Sequence, residues 1–404
     1  MHPIRIASLL FLLALPLRAT TLNIRNHGAI DDGKTLNTAA IQQVIDTLAA
    51  AGGGTVIVPR GDFLTGPITL ASGINLRLSR GAVLLISNDR TTYPVANRRY
   101  IDAITARDAH DIKITGPGAI DGQGASWWAA FKADQSMTHR PYLIKLSNCQ
   151  RVEVSGVTLR NSPMFHLVPQ NCTDVNIHDI TIHSPANAPN TDGIDPSGWN
   201  FTITNCHIDT GDDDIAIKPN HDRTPGNKNY LITWCDFIHG HGMSVGGGSL
   251  GGLDGLTVNH CTFAHTDAGI RIKTPRGNGG LLQNAIYENL TMTDVRHPIY
   301  IMDWYPERNA PKDPATETPQ PVTPSTPQIQ HIIIRNVRVT NSPTAGIIRG
   351  LPEAPITDVL LKNVHITAQT GLTIYYATNI KLTNTTIHAQ KGKPLTTFNA
   401  QIEN

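Results

Sequence analysis

One short pattern returns along the chain from Val152: alternating apolar residues, a polar residue, an apolar residue, then a second alternation. Its copies run VEVSGVTL from Val152, VNIHDITI from Val175, FTITNCHI from Phe201, YLITWCDF from Tyr230 and LTVNHCTF from Leu256. They continue with AIYENLTM from Ala285, IIIRNVRV from Ile332, VLLKNVHI from Val359 and IKLTNTTI from Ile380. The sixth positions are Val157, Ile180, Cys206, Cys235, Cys261, Leu290, Val337, Val364 and Thr385, spaced 23, 26, 29, 26, 29, 47, 27 and 21 residues apart. Alternation marks a strand, because side chains on one face recur every second residue. A strand signal repeating every few tens of residues marks a solenoid in which each coil buries its apolar face against the next. The expected fold is therefore all-β: a right-handed parallel β-helix.

The flanks fit that architecture. Asn37-Thr38 precede Ile41, Val44, Ile45 and Leu48 at helical spacing, and Gly52-Gly53-Gly54 ends the run, which predicts an amphipathic helix capping the open N-terminal coil. The 47-residue spacing contains a proline-rich stretch, Pro306 to Pro327, that cannot pair as strand and reads as a surface loop. Residues 1–19 have a basic start, an apolar run from Ile6 to Leu17 and a small-residue end, the pattern of a signal peptide. A single catalytic domain over residues 20–404, secreted or periplasmic, monomeric and free of the membrane once the leader is removed, is expected. Five cysteines in an exported chain cannot all pair within one molecule, and three of them share one ladder position. They are expected as small buried apolar groups rather than disulfides.

Charge is balanced at +1, so no general field gathers nucleic acid or an anionic membrane, and an acidic ligand must be recognised locally. Five polar groups recur just beyond the ladder positions: Asp192 in NTDGID, Asp212-Asp213 in TGDDDIAIK, His241 in GHG, Arg271 and Lys273 in RIKT, and Tyr305 in DWYP. Coils stack about 4.8 Å apart, so groups one coil apart in sequence become neighbours in space. One strip across adjacent rungs is the expectation. Taken singly, an Asp run is a solvated turn, an Arg-x-Lys pair an exposed strand face and a His between glycines a turn residue. Recurrence on consecutive coils is what joins them. Three crowded carboxylates cannot all ionise freely, which raises at least one pKa and supplies a proton donor. Glycoside hydrolysis needs that donor together with a carboxylate that activates water. Arg271 and Lys273 can bind a substrate carboxylate, His241 can hold the acid, and Tyr305 can stack on a sugar. Asp195, Asp214 and Tyr300 are expected to be structural. Gly246 to Gly251 matches a dinucleotide fingerprint in letters alone, since no helix pattern follows, and the 17 histidines show no metal spacing.

NTDG (Asn190 to Gly193), GDD (Gly211 to Asp213), GHG (Gly240 to Gly242) and RIK (Arg271 to Lys273), in this order, resemble the four signatures of the polygalacturonases, glycoside hydrolase family 28. IDGQGASWW (Ile120 to Trp128), LRNSPMFH (Leu159 to His166) and the entry segment Gly28 to Gly54 are similar too, so the likeness spans residues 22 to 390. It implies cleavage of α-1,4-linked galacturonate in pectin by an inverting acid/base mechanism without cofactor or metal. Asp212 corresponds to the general acid, and Asp192 and Asp213 to the carboxylates that hold and activate water. His241 corresponds to the acid's support, and Arg271, Lys273, Tyr305 and Asn190 to substrate-binding groups. Asp214 and Phe165 depart from the usual Cys and Trp, which leaves fine specificity open. A substituted pectin (rhamnogalacturonan or xylogalacturonan), a calcium-dependent β-helix lyase and a non-catalytic carbohydrate-binding solenoid are the competing readings.

Overall fold

The computed structural model describes residues 20–96, 99–136, 139–221 and 226–403; the expected signal peptide lies outside them. About 55% of the chain is strand, wound as a right-handed parallel β-helix. The first residues of the sequence pattern stack in register: Val152 pairs with Val175, then Phe201, Tyr230, Leu256, Ala285, Ile332 and Val359. Two residues along, the neighbouring inward column reaches back before the recognisable copies, from Val154 to Ile114, Leu76 and Val56. Those early coils escaped the sequence pattern because their lengths are irregular. A hairpin (Val95–Ala96 with Arg99–Tyr100) and the helix Ala125–Ala133 are inserted between their strands.

The inward ladder is filled as the pattern requires. Val157, Ile180, Cys206, Cys235, Cys261, Leu290, Val337 and Val364 are buried, and only the last position, Thr385, is partly open. All five cysteines are buried and none of them forms a disulfide. Cys149 and Cys172 form a second stack, on a different corner, where Thr173 N donates to Cys149 O at 2.9 Å. Aromatic rings repeat at the rung spacing, as in Phe201 on Tyr230 at 4.8 Å with planes 1° apart.

The corner before each ladder residue explains the polar letter of the pattern. Asp179, Asn205, Asn289, Asn336, Asn363 and Asn384 adopt positive φ there, between 45° and 56°. Asn and Asp tolerate this left-handed conformation better than most residues do. The amides also ladder: Asn336 Nδ2 donates to Asn289 Oδ1, and Asn363 Nδ2 to Asn336 Oδ1, both at 3.0 Å. This largely exposed amide row thus bonds from coil to coil.

The expected helix is present over Thr38–Ala50, with Ile41, Val44, Ile45 and Leu48 buried against the first strands. The proline-rich stretch is a loop pinned to the last coils. Arg349 Nη2 donates to Pro311 O at 2.9 Å and pairs with Glu317, while Tyr376 Oη donates to Pro314 O at 2.5 Å. Trp304 Nε1 donates to Glu317 Oε2 at 3.1 Å. The same sheet that ends under this loop carries the polar strip. Its inward row is Ile144, Leu167, Ile194, Ile215, Met243, Ile270 and Ile299.

Candidate active site

Asp192, Asp213 and His241 each precede a residue of that inward row by two positions, and so occupy one row on three successive rungs. Gly193 N donates to Asp213 O at 2.9 Å, which locks the first two turns together. Asp212 sits beside Asp213, with its backbone carbonyl accepting from His241 N at 2.7 Å. The turn at His241 depends on glycine: Gly242 has φ +72°, and a Cβ there would lie 1.9 Å from Ala268 O. Asp214, expected to be structural, is fully buried, its carboxylate accepting from Thr210 Oγ1 at 2.9 Å and Gly242 N at 3.0 Å.

The cations are not in the same column. Arg271 and Lys273 follow Ile270 by one and three residues, two rungs beyond Asp213. Their length brings them back. Arg271 Nη1 lies 3.0 Å from Asp213 Oδ1, and Lys273 Nζ 2.6 Å from Asp213 Oδ2. Between these rungs, Ser244 Oγ donates to Asp213 Oδ1 at 2.9 Å, and Gly246, the register partner of Lys273, has no side chain to block the ammonium. Both cations are nearly buried and bound to Asp213, so the carboxylate they hold in this structure is the protein's own. The expected single strip is a convergence from two columns. Tyr300, not Tyr305, is in register with Arg271, and it is packed, 5% exposed. Tyr305 lies past the strand end, with its ring 5.4 Å from Lys273 Nζ and against the backbone of Gly247, where a Cβ would come within 3.0 Å.

Sequence reasoning missed Lys218, although it stands at the end of TGDDDIAIK in the outward phase of the strand's alternation. Its ammonium lies 2.9 Å from Asp192 Oδ2, 3.1 Å from Asp195 Oδ2 and 4.0 Å from Asp213 Oδ2. Asp195, expected to be structural, thus shares Lys218 with Asp192 and adds a fourth carboxylate to the cluster. Arg140 was also missed. Fully buried, it donates from Nη2 to Asn190 Oδ1 at 2.8 Å, and Asn190 Nδ2 reaches Asp212 Oδ2 at 3.4 Å. No motif marks Arg140, and only the coil stacking brings it there.

These contacts divide the carboxylates by charge. Burial pushes Asp192 up to about 7, with Lys218 opposing and the charges of Asp212 and Asp213 adding to the rise. Burial and Asp192 push Asp195 well above the usual range. Asp213 is equally buried, yet Lys273, His241, Lys218 and Arg271 outweigh desolvation and hold it well below. Asp212 is lowered as well, its burial outweighed mainly by the hydrogen bond from His241 Nδ1 at 3.0 Å. His241 rises to about 10: its partial burial is overcome by Asp212 and Asp213. Crowding does raise a carboxyl, but that carboxyl is Asp192 and not Asp212. Asp212 and His241 instead form a pair that holds one proton between them. Asp212 and His241 are also the open groups, with side chains 23% and 38% exposed beside an almost closed Asp213.

The description "Glycosyl hydrolases family 28" fits residues 51–396 of the chain. A probable polygalacturonase of Vitis vinifera is 32% identical over 87% of this chain and 75% of its own length. An endo-polygalacturonase of Pectobacterium carotovorum subsp. carotovorum is 34% identical over 62% of this chain and 68% of its own. Among solved structures, the polygalacturonase from Erwinia carotovora ssp. carotovora superposes with a TM-score of 0.69 at 26% identity, covering 96% of both chains. An exopolygalacturonase from Thermotoga maritima gives 0.74 at 25% identity over 90% of this chain and 92% of its own.

Proposed function

The chain belongs to glycosyl hydrolase family 28, and on that footing we propose that it hydrolyses the α-1,4 bonds of polygalacturonate by inverting acid/base catalysis. The observation that carries this reading is the pairing of an exposed, proton-holding Asp212–His241 couple with ionised Asp213 on the same turn and Asp192 on the rung beside it. In the proposed reaction the Asp212–His241 couple delivers its proton to the leaving glycosidic oxygen. Asp213, kept anionic by Arg271 and Lys273, and Asp192, in its ionised form beside Lys218, hold and deprotonate the attacking water. Asn190, tied to Arg140, orients Asp212. Arg271 and Lys273 flank the sugar at the cleaved bond, and Tyr305 offers it a ring.

The calcium-dependent lyase reading is disfavoured by the chemistry of the donor set. Asp212, Asp213 and His241 bring three ligand atoms within 4.8 Å, but Asp213 is already taken by a guanidinium and an ammonium. Calcium favours six to eight oxygen ligands, and here it would meet those cations and an imidazole. Export from the cell, with pectin as the acidic polysaccharide partner, is part of the same proposal; among the described residues no helix is long and apolar enough to cross a membrane. Product analysis on polygalacturonate beside rhamnogalacturonan, with and without chelator, tests it. Saturated oligogalacturonates, released equally well with chelator present, are expected. Unsaturated products that require calcium, or release from rhamnogalacturonan alone, would overturn it.

A further inference from the structure

The sheet bearing the carboxylates continues towards the N-terminus, and its outward row there runs Thr105, Lys145, Val168 and Asp195 on successive rungs. Lys145 is thus about two rungs, or ~10 Å, from Asp195 along the coil axis. Over these rungs lies a depression of about 370 Å³ lined by Arg99, Tyr142, Lys145, Phe165, Gln170 and Lys218. It opens directly onto the catalytic cluster, because Lys218 and Asp195 belong to both.

Its chemistry is specific. Tyr142 and Phe165 stack at 4.8 Å with planes 4° apart and form an aromatic wall. Lys145 Nζ stands 5.3 Å from the Tyr142 ring, and Lys218 Nζ 4.9 Å from the Phe165 ring. Arg99 joins them from the hairpin of Val95–Ala96 with Arg99–Tyr100. Arg271, Lys273 and Lys218 are each bound to carboxylates, but among the described residues neither Arg99 nor Lys145 has an ion-pair partner within 4 Å. Of the carboxyls beside them, Asp195 is held by Lys218, while Asp102 accepts from Tyr142 N at 2.9 Å and is pushed up by burial. His139, against Tyr142, is held down to about 4 by burial and by the charges of Arg99, Lys145 and Arg140. The depression is locally positive in a chain whose net charge is only +1.

We propose that this depression is a binding subsite for the carboxylate of a second uronic acid residue, away from the cleaved bond, with Arg99 and Lys145 as its anion receptors and the Tyr142–Phe165 pair as its sugar wall. The proposal rests on the polyuronate reading above and adds where charge is read. Two cations that line one depression and have no ion-pair partner among the described residues suit an anionic sugar. A neutral pyranose would instead call for neutral donors and acceptors beside the ring.

The test is titration of tetragalacturonate and of its carboxyl-reduced analogue into the Asp212→Asn enzyme, with and without Arg99→Gln and Lys145→Gln. Loss of both cations is expected to weaken tetragalacturonate binding at least about tenfold while leaving the reduced analogue within about twofold. The charge-retaining exchange Arg99→Lys with Lys145→Arg is expected to stay within about threefold of the parent, which separates charge from fold. Unchanged tetragalacturonate binding, or equal losses for both ligands in a folded protein, would overturn the subsite. Turnover of polygalacturonate by the otherwise native enzyme, measured in parallel, separates the two claims. Turnover with binding indifferent to both cations removes the subsite and leaves the hydrolase; no turnover with cation-dependent binding does the reverse.

Discussion

Replacing Asp192 by Asn should abolish hydrolysis and yet stabilise the protein at alkaline pH. The Asp192 carboxyl is 3% exposed, with Lys218 2.9 Å from one oxygen and no hydrogen-bond partner for the other. Burial raises it from 3.8 to about 7. Between those values the folded state keeps a proton that the unfolded chain gives up. The stability Asp192 contributes is therefore fully present below about pH 4 and lost as pH rises through about 7. At 1.36 kcal/mol per pH unit, the interval corresponds to roughly 4 kcal/mol. Asn cannot ionise, and Lys218 keeps Asp195 at 3.1 Å. Asp195 drops when its neighbour's charge is removed, so roughly 4 kcal/mol is the ceiling for the gain. Denaturant unfolding of both proteins at pH 4, 6 and 8 should show the variant gaining on the native enzyme as pH rises. Hydrolysis should fall at least ~10²-fold at every pH. A stability difference that is flat from pH 4 to 8 would refute the assignment of Asp192 as the strained carboxyl.

Other expectations follow from the same contacts. Lys218→Met leaves Asp192, Asp195 and Asp213 without their shared cation, so it should cost about 3–5 kcal/mol near neutral pH and displace the acid limb of the pH–rate profile upwards; a neutral effect on both in denaturation and rate measurements would remove Lys218 from the site. Thiol titration in denaturant without reductant should count five thiols per chain, because all five cysteines are buried and outside any disulfide; any stable disulfide would contradict the ladders. We also propose that the helix Thr38–Ala50 shields the open end of the first coil, so Ile45→Asp, which places a charge in its buried face, should yield soluble aggregates or a markedly lower Tm by light scattering and thermal unfolding. A monomer of native stability would show that the coil end needs no such cover.

The parts of this molecule legible from sequence are those that repeat. A ladder such as Cys206, Cys235 and Cys261 announces itself because each coil must solve the same packing problem, and the Asn corners mark the same left-handed turn each time. The early coils were illegible because inserted segments break the period, even though Leu76, Ile114 and Val154 stack like the rest. In the site, spacing places the carboxylates and His241 on neighbouring rungs. It also gives the rung of Arg271 or Lys273, but not how far back a long side chain reaches. Lys218 shows the complementary failure: a lone lysine at a strand end looks solvated until the fold puts three carboxylates around it. Arg140 reaches Asn190 from a segment with no periodicity at all.

The most direct measurement is turnover of polygalacturonate by Asp212→Asn, with the fold checked by its thermal transition. Asn keeps the hydrogen bond to His241 within reach but cannot pass a proton to the leaving oxygen, so kcat is expected to fall at least ~10²-fold with the transition unchanged. A folded Asp212→Asn enzyme that still releases reducing ends at a near-native rate would contradict the acid role of the Asp212–His241 couple, and with it the proposed mechanism.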